Sequence, residues 1–442
     1  MKNQEEEAGG ASETEKAQIG LILDSVPEAA AFPSDPRESS VSVEYLFRRG
    51  SIVVRDWHLS RVSEVLEPLI PTDGQVLVDV VAGATRLTWS TDDGPSVQQC
   101  LDLVENAIGQ NVATPDTLVY VCGHSCAAIE QEAVPADAAP VPHPEPMGQD
   151  ATDPRRRYGQ DVNVLVMDTG LVADAARDHA WMVGVTGDVE DPVDPATGLL
   201  KQDGGHGTFV AGCVRVTAPA ATVHVVNAAA LLPNTANTGP IGAVFESDLA
   251  RLVRSRLIAE PGRPPVPVPD ILVLNFAGTS RDGGPLLAFD ALYDDLVQHL
   301  KELLILSPAG NEGDRRKNWP ASFAWVVSVG GLDVTWRDRA TWSNYGHNVD
   351  VFAPGDRLVN AFATGTYECT WEGAVGERRD FDGMALWSGT SFSTPLVAGL
   401  VAARMSSTGQ SSRRAWASLL DLAERQAVPS VGPVLYPGQE LD

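Results

Sequence analysis

The stretch WSGTSFSTPLVAGLV, residues 387–401, sets Ser391 among small residues at the mouth of an apolar helical pattern. Pro395 follows closely, where the first turn of a helix tolerates a missing amide. A hydroxyl at that point meets unpaired backbone N–H groups and the positive end of the helix dipole, which favours developing negative charge. Serine is also a preferred N-cap, so the position alone decides nothing. Three further positions bear on it. VLVMDTG ends an apolar run in Asp168, GGHGTFVAGCV sets His206 among glycines before another, and ILSPAGNEG closes a third with Asn311. Singly, these read as turn formers or an ordinary histidine. Jointly they supply the parts of acyl transfer: nucleophile Ser391, base His206, orienter Asp168 and oxyanion donor Asn311.

Those side chains need a scaffold that brings them together. From about residue 160, the apolar runs VNVLVMD, TVHVVNAAA, DILVLNFAG, ELLILSPAG and WVVSVGGLD read as strands. ESDLARLVRSRLIA and AFDALYDDLVQHLKEL between them carry apolar residues at helical spacing. Unbroken apolar strands alternating with helices predict an α/β fold, a parallel sheet with helices on both faces. The reacting groups then belong at the carboxyl ends of the strands. Residues 41–124 follow a different rhythm. VEYLFRRGSIVVRD reads as a strand, or a hairpin about Gly50, followed by helix, two strands, helix and strand. The β-α-β-β-α-β order predicts a small ferredoxin-like α+β domain. Residues 1–40 are polar and Glu-rich and are expected to be disordered. Residues 125–158, rich in proline, are expected to be an extended linker, and 431–442 a C-terminal tail.

The order Asp, His, Asn, Ser, with the blocks VMDTGL, GHGTFVAG, PAGNEG and GTSFSTPLVAG, resembles the subtilisin-like serine proteases, or subtilases. WPASFAWVVSVGGLD and WSNYGHNVDVFAPG resemble the family's connecting segments, so the likeness runs from about 160 to 425, within a domain expected over 159–430. It implies a serine endopeptidase. Ser391 attacks, His206 takes the proton, Asp168 holds the imidazolium, and Asn311 with the Ser391 backbone N–H binds the oxyanion. Phe276, Ala277, Gly278, Pro308, Ala309 and Gly310 would line the substrate cleft, where NFAGTS departs from the usual Asn-aliphatic-Ser-Leu-Gly. Subtilase propeptides are ferredoxin-like, so residues 41–124 would be the chain's own intramolecular inhibitor, with self-cleavage near Cys126–Ala128. The insertion at 364–386 suggests a lid or partner surface. An acyl-transferring, macrocyclising enzyme and a non-catalytic binding module share these residues as alternatives.

The totals narrow the partners. Lys plus Arg number 32 against 59 Asp plus Glu, a net charge of -27, which excludes a basic face for nucleic acid. Cys100, Cys122, Cys126, Cys213 and Cys369 are scattered. Cys122 and Cys126 lack a second ligand pair at zinc spacing, so neither metal nor cofactor is expected. The N-terminus has no apolar signal core and no run reaches membrane-spanning length, so no membrane partner is expected and a cytoplasmic, bacterial processing enzyme is.

Overall fold

In the computed structural model, residues 13–37, 42–92, 94–121, 132–143, 153–229, 242–258, 268–370 and 374–439 are described. The chain starts with α1 (Glu13–Ser25) and β1 (Ala29–Phe32), inside the stretch expected to be disordered. The reason is local. Ile19 and Ile22 fall on one side of α1 and bury, with Val26 just past its end and Ala29, against Leu46, Leu118, Ala243 and Phe245. Averaging the polar composition of residues 1–40 hid that stripe.

β2 (Tyr45–Arg55) is one continuous strand, not a hairpin. Gly50 takes φ +55° and bends it, and a Cβ there would lie 2.6 Å from the Trp89 carbonyl oxygen. Then come α2 (Asp56–Leu66), β3 (Val76–Val81), β4 (Ala84–Thr88), α3 (Val97–Ala107) and β5 (Ala113–Val121). Within this unit the strands lie in the order β5-β2-β4-β3, all antiparallel. One face packs Ile52, Val54 and Leu87 against Val62 and Leu66 of α2 and Leu101 and Val104 of α3. The opposite face places Val53, Val80, Val119 and Val121 in a cluster with residues of the C-terminal part. Burial on both faces explains the unbroken apolar run Ile52–Val54.

β6 (Val134–Pro135) follows, within the expected linker. The C-terminal part then alternates β7 (Asn163–Asp168), β8 (Thr186–Gly187), α4 (His206–Thr217), β9 (Thr222–Asn227), β10 (Ala243–Phe245) and α5 (Glu246–Leu257). It continues through β11 (Ile271–Leu274), β12 (Phe276–Ala277), α6 (Leu287–Asp295), β13 (Leu304–Pro308), β14 (Val327–Leu332) and β15 (Val351–Pro354). Last come β16 (Leu358–Glu368), β17 (Arg378–Trp387), α7 (Thr390–Thr408) and α8 (Ser412–Arg425). Seven strands form one parallel sheet in the order β15-β14-β13-β11-β7-β9-β8. Alternate residues point to opposite faces. Val164, Val166, Val223 and Val225 bury with α4 and α7, and Leu165, Met167 and Leu272 with α5 and α6. Both faces are covered, as a continuous apolar strand requires.

The expected linker is extended in part but not free of the fold. Val134 and Pro135 pair with Leu386 and Ala385, making β6 the third strand on the β16–β17 hairpin. Val141 bridges Val359. The 364–386 insertion is therefore a hairpin already held by its own chain, with a register shift between Ala361 and Thr364. No helix among the described residues is long and apolar enough to cross a membrane.

Candidate active site

Asp168 is the last residue of β7, Asn311 follows the end of β13, and His206 and Ser391 stand at the N-termini of α4 and α7. One crossing makes the last two neighbours. A Cβ on Gly399 would lie 1.9 Å from Thr217 Oγ1 and 2.7 Å from the Val214 carbonyl oxygen, so glycine lets α7 press onto α4. The Phe392 ring, next to Ser391, then lies 5.2 Å from the His206 ring, and Trp387 meets the imidazole edge-on at 5.2 Å. Pro395 sits at the sixth residue of α7, beyond the first turn where the sequence placed it.

Asp168 is held on both oxygens. Oδ1 accepts from His206 Nδ1 at 2.7 Å and from the Thr169 N–H at 2.8 Å, while Oδ2 accepts from Asn275 Nδ2 at 2.7 Å. A carboxylate can only accept, so Nδ1 carries the proton and Nε2 is left as the basic nitrogen. Among the described residues Nε2 is buried without a hydrogen-bond partner. Asn311 is oriented in the same way. Its Oδ1 accepts from the backbone N–H of Thr390 at 2.9 Å and from Thr390 Oγ1 at 2.8 Å, which leaves Nδ2 as the donor end.

Two of these partners escaped the sequence reading. Asn275 lies within the NFAGTS segment, and Thr390 directly precedes Ser391, so both were adjacent to recognised motifs. Neither residue type announces a positioning role, because Asn and Thr before a turn or helix read as local caps.

The six residues expected to line the cleft stand together. Phe276 and Ala277 form β12, and Gly278 pairs with Trp319. Pro308 ends β13, and the Ala309 N–H donates to the Val329 carbonyl. Gly310 takes φ +103° under the side chains of Asn318, Asn344 and Glu312, where a Cβ would come within 2.0 Å of Asn318 Nδ2. Beneath it, Glu312 Oε2 accepts from Asn318 Nδ2 and Asn344 Nδ2, both at 2.7 Å. Burial pushes that carboxyl up from the usual range.

β12, expected to line the cleft, is paired on its edge with a strand of the N-terminal unit. β5 lies between β10 and β12, antiparallel to both: Tyr120 pairs with Ala243 on one side and Ala277 on the other. Asp168, His206 and Ser391 are all 0 % exposed. The cleavage position expected near Cys126–Ala128 falls outside the described residues.

The subtilase family profile matches residues 159–427. Thermitase of Thermoactinomyces vulgaris is 26 % identical over 277 residues, 60 % of this chain and 82 % of thermitase. Subtilisin-like protease 1 of Pseudogymnoascus destructans is 40 % identical over 155 residues, so this chain covers only 35 % of that protein's length. Among solved structures, fervidolysin of Fervidobacterium pennivorans, a keratinolytic enzyme related to subtilisin, aligns over 88 % of this chain and 60 % of its own. Its TM-score is 0.53 at 15 % identity, a likeness of fold. With the family profile covering more than half of its length, the chain belongs to the subtilase family.

Proposed function

We propose that the chain is a serine endopeptidase held latent by its N-terminal domain. The observation that carries the chemistry is the fixed tautomer of His206, with Nδ1–H on Asp168 at 2.7 Å and Nε2 as the basic nitrogen. Ser391 Oγ attacks a peptide carbonyl as its proton passes to Nε2. Asp168, held by Asn275 and Thr169, stabilises the imidazolium. The oxyanion takes hydrogen bonds from Asn311 Nδ2 and the Ser391 N–H at the start of α7. The imidazolium then protonates the leaving amine. Water, deprotonated by the same nitrogen, releases the acyl group in the second half.

Latency follows from β5. An extended substrate would join the β10 and β12 edges by strand addition, and β5 fills that place. Beyond it, Glu132 is buried and its Oε1 accepts from Tyr367 Oη at 2.7 Å and the Thr370 N–H at 2.9 Å. The chain thus runs along the β10 and β12 edges up to Val121 and along the β16–β17 hairpin, which leads into α7 and Ser391, from Glu132 onward. Self-cleavage is assigned to the residues between. Intact mass of the wild-type chain beside Ser391→Ala tests this. Wild type should split between 121 and 132 while the variant stays whole. If both stay whole and a fluorophosphonate does not label Ser391, the protease reading fails.

A further inference from the structure

We propose that Glu190 is a positioning residue for the His206–Asp168 pair, through the backbone on both sides of the imidazole. This rests on the serine protease reading above. Glu190 is buried in a two-residue strand ahead of α4, Val189–Glu190, which pairs in parallel with Leu171–Val172, and that reaction gives it no part. Its Oε1 accepts from the Gly205 N–H at 2.9 Å, and its Oε2 pairs with Thr169 Oγ1 at 3.2 Å. Thr169 Oγ1 in turn accepts from the Gly207 N–H at 3.0 Å, while the Thr169 N–H donates to Asp168 Oδ1. One carboxyl group therefore fixes, directly or through one hydroxyl, the peptide groups flanking His206 and the residue following Asp168.

The surroundings leave no slack. Gly170 takes φ +107°, and a Cβ there would sit 3.2 Å from Glu190 Cβ and 2.9 Å from the Asp188 carbonyl oxygen. On Gly207 it would lie 2.3 Å from the Gly170 carbonyl oxygen. Small glycines bring the turn after Asp168, the Glu190 strand and the start of α4 into direct contact. Glu190 is the polar tie among them.

The tie holds in either charge state. As a carboxylate, Glu190 accepts from both Gly205 and Thr169. As the neutral acid it still accepts from Gly205 and donates its own proton to Thr169 Oγ1. Burial, with the charges of Asp168 at the end of β7 and Asp203 ahead of α4, pushes this carboxyl up to about 8. Asp188 and Asp191 flank its strand, and His206 heads the helix that faces it. Above about pH 8 a second negative charge then stands beside Asp168. That charge favours the imidazolium formed in the transition state, so the rate should rise with ionisation.

The test uses the full chain after self-cleavage, with active sites counted by fluorophosphonate labelling and turnover read on a peptidyl p-nitroanilide. Glu190→Ala should lower kcat per labelled site roughly 10- to 100-fold, because small misplacements of reacting groups cost that much. KM should stay within about twofold, since no substrate contact is lost. Glu190→Gln keeps an acceptor for Gly205 and a donor for Thr169, so it should recover most of kcat. It should also lack the rise near pH 8 expected of wild type. The proposal is overturned if Glu190→Ala loses only labelled fraction at unchanged per-site kcat, which is a folding role alone. It is equally overturned if the Gln variant is as slow as Ala. Wild type that does not label at Ser391 sinks the protease reading itself, before either variant is compared.

Discussion

At the residue scale, Asn311 and Asn275 carry the same amide but face opposite tasks, and substitution should separate them. On the proposed mechanism Asn311→Ala removes a donor that acts only once charge develops, so kcat should fall about 10²–10³-fold with KM little changed. Asn275→Ala removes a hydrogen bond to the Asp168 carboxylate, about 1.5–3 kcal/mol for a charged partner, or roughly 10- to 100-fold. Steady-state kinetics on one peptide substrate distinguishes the two, and equal losses would deny Asn311 its special place. Buried carboxyls add a second residue-scale expectation. Glu190, Glu246 and Glu312 are all raised by burial. In the unfolded chain they ionise in the ordinary carboxylate range, so above it the folded state binds more protons than the unfolded one. Stability is then greatest at the acid end of this window and is lost as pH rises, for Glu190 up to about 8. Melting temperature should fall from about pH 5 to 9, with a shallower slope in Glu190→Gln. A wild-type curve that climbs across that range contradicts the assignment.

At the element scale, the triad depends on how closely α4 and α7 approach. Gly399→Ala places a methyl group against both Thr217 Oγ1 and the Val214 carbonyl oxygen. Overpacking of this kind costs about 1–3 kcal/mol, and since backbone forms half of the obstacle, Thr217→Ala should rescue only part of the lost melting temperature. Full rescue would place the crossing on the hydroxyl alone. This contact also shows what was legible beforehand. The strands of the parallel sheet, the positions of Asp168, His206, Asn311 and Ser391, and the β-α-β-β-α-β run could be read because periodicity and motif are local properties. That Gly399 is a helix contact could not, since the partner lies far away in sequence. The same holds for β6, whose two residues pair with β17 across some 250 positions. A proline-rich composition reads as a linker whenever the edge it will join is out of view. α1 was missed for a different reason, a narrow apolar stripe diluted by its polar neighbours.

At the scale of the whole molecule, the net charge of -27 conceals an interface where opposite charges meet. Arg48, Arg55 and Arg86 of the N-terminal domain face Asp248 on α5 and Asp290 and Asp294 on α6. Asp116, on β5, accepts from both the N–H and the Oγ of Ser247, which stand in the first turn of α5. A carboxylate there satisfies an orphan amide and complements the helix dipole. The charges are not of equal worth. Asp248 sits beside the fully buried Asp116, bonded to Arg48 and Arg86, whereas the Asp294 side chain is 55 % exposed. Truncating one partner of a largely buried charge pair costs about 2–5 kcal/mol, mostly through faster dissociation of the complex. Asp294 is itself open to solvent, and the buried Arg55 keeps Asp290 as a second partner. Losing Asp294 strands no charge and costs at most about 1 kcal/mol, less at high salt. On the proposed latency, Asp248→Ala should therefore weaken inhibition by the severed N-terminal domain roughly 30-fold or more, and Asp294→Ala by less than about fivefold. The inhibition constant of the severed domain, titrated at low and high salt, makes the comparison. If the two variants weaken inhibition alike, the domain is held by the β5 strand and its apolar face. The charges would then merely guide it into place.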